Sequence, residues 1–356
     1  MDVAALAGVE AVSEEEWSTL ADRQWLFESR HWLLANERRF VGEPLVTVER
    51  GCDGLRSLVV WRTTAASVAS PYHNILALLR RFGRVPSNNG QEGWTLNCTG
   101  SGMHSPVLCA PGVTVTPQML GAHIRAAIMT QSTTPAAVGF PFVPEHGGVA
   151  GLTESLADLG FSACSDYTRA LLDLPGDSFD DYLGRLSAGR RKTVRQDRRQ
   201  FAFSGLHTAI MTGSAANGED LLRLQGLNLA KYNLPFDPDP QRERIRALLA
   251  ACGENSLVIR SLDGKTTTGF VAFFWLGDTA HAVFGGFDPN YDRRGAYFEC
   301  LFYTAIEWAY DHGVRLIDFG LSATIANTRA KERRGCRIGP NLSWSCLDLR
   351  ADQDAP

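Results

Sequence analysis

Residues 257–319 read LVIRSLDGKTTTGFVAFFWLGDTAHAVFGGFDPNYDRRGAYFECLFYTAIEWAYDHGVRLIDF. Three apolar runs, 257–262, 268–276 and 280–287, are rich in β-branched and aromatic residues and are separated by the turn signals Asp263-Gly264-Lys265 and Gly277-Asp278. That spacing predicts an antiparallel meander with tight turns. In 295–312, Phe298, Leu301, Phe302, Ala305 and Trp308 recur at steps of three and four, which predicts a helix ended by Gly313, with a strand at 316–319 directly after it. Upstream, the pattern predicts a strand at 168–174, a long basic helical region at 179–203, and helices at 218–232 and 240–252. The first half has the same grammar. Amphipathic helices are expected within 14–40, a hairpin from 44–49 and 58–62, and a helix at 74–82. Short strands at 94–97 and 107–110, a helix at 117–131 opened by Pro117, a buried strand at 136–143 and a helix at 149–159 complete it. Strands and helices in alternation give an α/β (α+β) class, and the recurrence of the pattern divides the chain into domains at 12–165 and 166–350.

Composition bounds the function. The chain has 356 residues, 44% hydrophobic and 21% charged, which is ordinary globular composition and more than one core usually holds. The formal charge of −4 excludes a global basic field for DNA or membrane, so any polyanion must be met by local clusters. No apolar stretch approaches a membrane span and the N-terminal residues lack a secretory pattern, so a soluble, cytoplasmic protein is expected. Eight scattered cysteines, with no CxxC pair and no His at ligand spacing, predict reduced thiols and neither a disulfide framework nor a metal site. The eight His residues form no HxH or HExxH, and there is no Gly-x-Ser-x-Gly elbow for a hydrolase.

Three groups of residues carry a family resemblance: Trp17 with Trp32; Tyr182 to Ser187 running into Arg190 to Arg199; and Gly286-Phe287-Asp288 with 308–313, Ile317-Asp318-Phe319-Gly320 and Lys331 to Cys336. In this order the chain resembles the FemX/FemAB branch of the GNAT acyltransferases. The resemblance implies two tandem GNAT-like domains, each a mixed, mostly antiparallel sheet flanked by helices, and transfer of an acyl group to a primary amine at the second domain. In the FemX branch the donor is an aminoacyl-tRNA, whereas other GNAT proteins mostly use acyl-CoA. The GNAT phosphate loop has the form Q/R-x-x-G-x-G/A. Here the aligned run is Asp292-Arg293-Arg294-Gly295-Ala296-Tyr297, with an acid first and a bulky Tyr where a small residue lets backbone approach phosphate. The departure lowers the expectation of tight CoA binding, while Arg293 and Arg294 remain candidates to hold phosphate through their side chains.

The basic region carries Arg185, Arg190, Arg191, Lys192, Arg195, Arg198 and Arg199 against the single acid Asp197. Residues 191, 195 and 198 fall on one helical face, so their guanidinium groups can track one phosphate backbone. A second run holds Arg329, Lys331, Arg333, Arg334 and Arg337. The expected tRNA contacts are therefore Arg190, Arg191, Lys192, Arg195, Arg198, Arg293, Arg294, Arg333 and Arg334. By resemblance Lys331 lies near the reacting ester, where an ammonium can stabilise an oxyanion, although Arg333-Arg334-Gly335 replaces the usual Phe-Gly ending. Asp318, ending a strand beside Gly320, is the candidate proton acceptor. Lys231, Tyr232, Phe287 and Asp288 are the candidate acceptor contacts. Competing structural readings are a solvated face for the basic run, a surface lysine beside Glu332, a strand-end cap for Asp318 and a plain turn at 228–236. His281 reads as a satisfied sheet residue and Glu299 as a first-turn acid, and neither is chosen as base.

The favoured function is amide formation, with an aminoacyl group passing from aminoacyl-tRNA to an amine of a small molecule or cell-wall precursor, without metal or bound cofactor. The alternatives are an acyl-CoA N-acyltransferase and a noncatalytic RNA-binding protein on a transferase scaffold.

Overall fold

The computed structural model describes all residues except 1, 21–24, 38–40, 53, 86–92, 101–103, 145–148, 217, 232–233, 235, 292, 323 and 348–356, with backbone only at 144, 166, 293 and 294. The chain forms two compact units: Met1–Asp166 together with Pro340–Pro356, and Tyr167–Gly339. The chain from Pro340 on belongs to the first unit, whereas the sequence reading runs the second domain to 350.

The first unit contains β1 (Val3–Leu6), β2 (Glu43–Gly51), β3 (Gly54–Ala65), β4 (Trp94–Asn97), β5 (Val107–Cys109) and β6 (Ala137–Pro144). β1, β2, β3 and β4 pair antiparallel in sequence order, β5 adds to β3, and β6 pairs parallel with β4. The chain's last strand, Arg337–Cys346, then pairs antiparallel with β6 from Asn341↔Pro144 to Cys346↔Val138, and its Trp344 joins the core of Trp61, Leu96, Val138 and Phe140. The helix Pro117–Ile128, capped by Thr116 with Pro at its start, packs on this core. Helix Ile75–Arg81 begins against the parallel pair: Asn97 Oδ1 accepts from Ile75 N at 2.8 Å, and Gly139 has no Cβ where one would lie 2.4 Å from Ile75. A buried polar relay crosses the sheet, in which His123 bridges the Thr47 and Ser57 hydroxyls at 2.8 Å each and Ser57 donates to Glu49 at 2.9 Å. Burial holds the His123 imidazole down to about 4, so it is neutral at physiological pH.

β7 (Ser162–Asp173) enters the second unit at Tyr167, and that unit contains β8 (His207–Thr212), β9 (Ser256–Asp263), β10 (Thr266–Leu276), β11 (Thr279–Phe287) and β12 (Leu316–Ser322). Its strand order is β7, β12, β11, β10, β9, β8, antiparallel throughout except for the parallel pair of β11 and β12. The meander from β9 to β11 forms where the sequence predicts it. Its two loops each hold two residues, and Gly264 (φ 55°) and Gly277 (φ 58°) supply the left-handed first position such loops demand. The expected helix at 295–312 runs from Arg293 to Asp311, with a π turn at Glu299–Tyr303. It buries Phe302, Ile306 and Trp308 against Ile259, Phe273 and Ile317 of the sheet. The predicted single basic helix is two, Phe179–Arg185 and Ala188–Phe203. Ser187 separates them, and its hydroxyl accepts from Arg190 N as the cap of the second. Strand β8, helix Ile325–Glu332 and the last strand have no counterpart in the sequence reading.

Candidate active site

The parallel ladder between β11 and β12 is three residues long: Thr279↔Leu316, Ala280↔Ile317 and His281↔Asp318. Each strand is bulged just beyond it. On β11 the register against β10 jumps from Phe273↔Ala282 to Ala272↔Phe284, leaving Val283 as the extra residue. On β12 the register against β7 shifts between Asp318 and Leu321, with Gly320 in the left-handed region at φ 68°. The strands therefore part after Asp318, and the β12 carbonyls beyond that point need another donor. Lys331 supplies it. Its Nζ donates to the carbonyls of Phe319 (2.7 Å), Gly320 (3.2 Å) and Leu321 (3.4 Å). The helix that carries it, Ile325–Glu332, is capped by the Thr324 hydroxyl, and Thr328 meets Thr168 of β7 at 2.8 Å. Burial draws the Lys331 ammonium down to about 8, with Asp318 and Cys336 opposing the shift. An ammonium has three N–H donors, and three carbonyls surround this one.

Asp318 lies in the same place but is equally engaged. Its Oδ2 accepts from Arg169 Nε at 3.0 Å, from Arg169 Nη2 and from His281 Nδ1 at 3.1 Å, while Oδ1 accepts from Gly320 N at 2.8 Å. Burial alone would raise its pKa, but Arg169 and His281 outweigh that and hold the carboxyl well below the usual range. A carboxylate so held is a weak proton acceptor, which counts against the role expected of it. Arg169 went unnoticed in the sequence; the only signal was a charge inside an apolar strand.

At the start of the long helix, the backbone lies close to a neighbour. A Cβ on Gly295 would be 3.0 Å from Cα of Phe201 on the basic helix. Tyr297 packs edge-on between Phe287 (5.4 Å) and Phe298 (5.1 Å). Thus Phe287, expected to touch acceptor, braces Tyr297, and Asp288 is tied to Arg223 at 3.0 Å and to Asn290 N at 3.0 Å. The Asn290 N–H and Arg223 hold its carboxyl below the ordinary range. The Arg293 and Arg294 side chains, Asp292 and Tyr232 lie outside the described residues, and Lys231 is exposed at the end of helix Glu219–Lys231.

The basic residues divide into two sets. Val194 and Phe201 form the buried stripe of helix Ala188–Phe203, and the residues bordering it turn inward. Arg191 Nη1 donates to the Leu186 carbonyl at 2.5 Å, closing the preceding helix. Arg198 pairs with Glu307 at 2.6 Å and Glu299 at 3.4 Å and lies 5.0 Å from the Phe179 ring centre. Arg334 is buried; it donates to Tyr303 Oη at 2.9 Å and to Asp197, and sits over the Phe298 ring. Arg191, Arg198 and Arg334 thus each have partners inside the unit. Arg190 is half-buried, while Lys192, Arg195 and Arg333 face solvent. Glu299 is buried on the π turn with Oε2 lacking any hydrogen bond. Burial raises its pKa against the pull of Arg198, and Glu307 adds to the rise. Among the described residues no group of His, Cys, Asp and Glu is arranged to hold a metal, and no helix is long and apolar enough to cross a membrane.

Residues 188–332 match the family model of the acetyltransferase (GNAT) domain. No curated protein sequence matches the chain significantly. Among solved structures, FemX superposes with a TM-score of 0.61 at 10% identity, covering 97% of each chain. A tandem GNAT protein from the clavulanic acid biosynthesis pathway gives 0.57 at 11% identity, covering 97% of this chain and 98% of that one. The C-terminal domain of a putative lysylphosphatidylglycerol synthetase from Agrobacterium fabrum gives 0.54 at 14% identity, covering 93% and 91%. The fold is that of tandem GNAT acyltransferases, as the sequence resemblance implied.

Proposed function

We propose that the protein is an amide-forming acyltransferase, in which an aminoacyl group passes from the ester of an aminoacyl-tRNA to a primary amine of a small molecule or cell-wall precursor. The observation that carries the reading is the parting of β11 and β12 beyond His281 and Asp318. An open edge at the end of a parallel pair offers backbone donors to an acyl carbonyl, and in a bulge the extra residue, here Val283, is the one left without a ladder partner. In this reading the carbonyl oxygen is met by that backbone N–H, and Lys331 keeps the opposite edge of the opening in shape. The amine nitrogen adds to the ester carbon and the C–O bond to the ribose breaks. The proton released by nitrogen ends on the ribose oxygen by way of solvent. Asp318 acts as a positioning residue, fixing Arg169 and His281 where the strands part. Catalysis rests mainly on holding two reactive groups together, which suits an ester that is already activated.

The departure of Asp292-Arg293-Arg294-Gly295-Ala296-Tyr297 from the GNAT phosphate-loop pattern, with an acid first and a bulky Tyr last, supports a tRNA donor over CoA. The acyl-CoA reading is favoured in turn by the match of 188–332 to the acetyltransferase domain model. Purified protein incubated with charged tRNA and an amine pool, followed by mass spectrometry, tests the proposal. New amides that disappear after ribonuclease treatment are expected. Products formed from acyl-CoA and insensitive to ribonuclease would replace the donor, and absence of product from either donor would overturn the enzyme reading.

A further inference from the structure

The solvent face of helix Ala188–Phe203 is not the face expected from the arginine spacing. Arg191 and Arg198 are held inward, and the exposed row is Lys192, Arg195, Arg199 and Phe203, at steps of three and four. Phe203 is 89% exposed, an unusual state for a phenylalanine on a folded helix. Arg199 is exposed and donates through Nε to the Arg195 carbonyl at 3.2 Å. Beside the row lies an open cleft of about 470 Å³, with Phe179, Leu183 and Val194 as its apolar lining and Arg195, Arg198 and Arg199 as its cationic lining. Among the described residues, Asp180 is the one acid in its lining.

We propose that this row and cleft bind an unpaired stretch of RNA, with phosphates along Lys192, Arg195 and Arg199, one base stacked on Phe203 and another set into the cleft. The inference rests on the tRNA-donor reading and names the surface that would hold the donor. Three features favour a nucleic acid strand over a single small anion or a bilayer. The row's cations run along the helix from residue 192 to residue 199, a length of about 10 Å at 1.5 Å per residue, with Lys192 beyond the cleft that Arg195 and Arg199 line. The row ends in an exposed aromatic ring, and alternation of cations with stacking surfaces is the pattern of single-strand binding, since every base has a π face. The row carries a single apolar side chain, whereas a helix lying in a membrane interface presents an apolar face along its length.

Binding of a short unstructured RNA, read by fluorescence anisotropy over a range of salt, tests the proposal with full-length protein. Replacing Lys192, Arg195 and Arg199 together by Gln is expected to weaken binding at least about tenfold and to flatten the slope of log K against log salt by about 2, three contacts at 0.7 each. Phe203→Ala is expected to weaken binding about tenfold with the slope unchanged, as loss of stacking does. All four positions are exposed, so circular dichroism of the variants should match the parent. An unaltered slope in the triple variant, absence of RNA binding by the parent, or row-dependent binding to anionic phosphatidylglycerol vesicles in place of RNA would each overturn the inference. Transfer from aminoacyl-tRNA that proceeds with the same KM in the triple variant would overturn it while leaving the donor reading intact. Row-dependent RNA binding without any transfer would leave the inference standing and remove the enzyme reading.

Discussion

Lys331 shows how a single side chain takes its meaning from backbone it does not adjoin. Its place among four lysines and its likeness to a family motif drew notice in the sequence, yet its contacts are three carbonyls of a strand ten to twelve residues earlier. Nothing local encodes that those carbonyls lose their ladder. Replacing Lys331 by Met leaves them buried and unpaired, and about 3 kcal/mol of stability should be lost, measurable by urea unfolding. The pH dependence has a definite sign. With the folded ammonium drawn down to about 8 and its ordinary value at 10.5, the unfolded chain binds more protons between them. The group's titration therefore contributes full stability above 10.5, and that contribution is lost as pH falls through about 8. The stability gap between parent and Lys331→Met should widen from pH 8 to pH 10. Asp318→Asn strands the Arg169 guanidinium in the core and is expected to cost about 4 kcal/mol. If Asp318 positions rather than accepts protons, any activity that survives keeps the parent's pH profile while kcat falls; loss of the profile's acidic limb would restore it as the base.

Helix Ala188–Phe203 shows the same limit one level up. Helical periodicity placed residues 191, 195 and 198 on one face, which is right as geometry, but it does not say which face the protein covers. The partners that decide it, Glu307 and Leu186 among them, lie on other elements. Val194 and Phe201, seven residues apart, are the sparse apolar marks that align the buried stripe, and weighting them over the arginines would have turned the helix correctly. The meander from β9 to β11 was legible because alternation and two-residue Gly turns agree, whereas β8 alternates weakly and Ile325–Glu332 has little apolar periodicity. The π turn at Glu299–Tyr303 was not legible at all. There the Arg198 guanidinium and, through Tyr303, Asp197 and Arg334 crowd Glu299 from the basic helix and the turn after Ile325–Glu332, and Glu307 adds negative charge from its own helix. Because burial raises the folded pKa of Glu299, its titration contributes stability below the ordinary carboxylate value that is lost as pH rises through the folded value. Glu299→Gln should remove that decline, so the thermal midpoint of the variant should change less between pH 4 and pH 7 than the parent's.

For the whole molecule, a recurrence of strand and helix patterns does not reveal that the first unit is discontinuous in sequence. The decisive residues are Leu342 and Trp344, whose partners Val143 and Phe140 lie about two hundred residues earlier, a separation that no window of sequence reveals. The two parallel pairs also differ within their own units. In the first, helix Ile75–Arg81 abuts the pair through Gly139 and Asn97; in the second, the strands part and a lysine holds the free carbonyls. A protein ending at Gly339 should therefore retain the second unit's hydrogen-exchange protection and lose protection in β6, since the last strand and Trp344 are gone. During translation the opening domain must wait: some two hundred residues of later chain leave the ribosome before Trp344 arrives to cover Phe140 and Val143. Until then an apolar edge is exposed to the cell, and trigger-factor-like holdases should crosslink to nascent chains arrested before Arg337 far more than to chains released after Cys346.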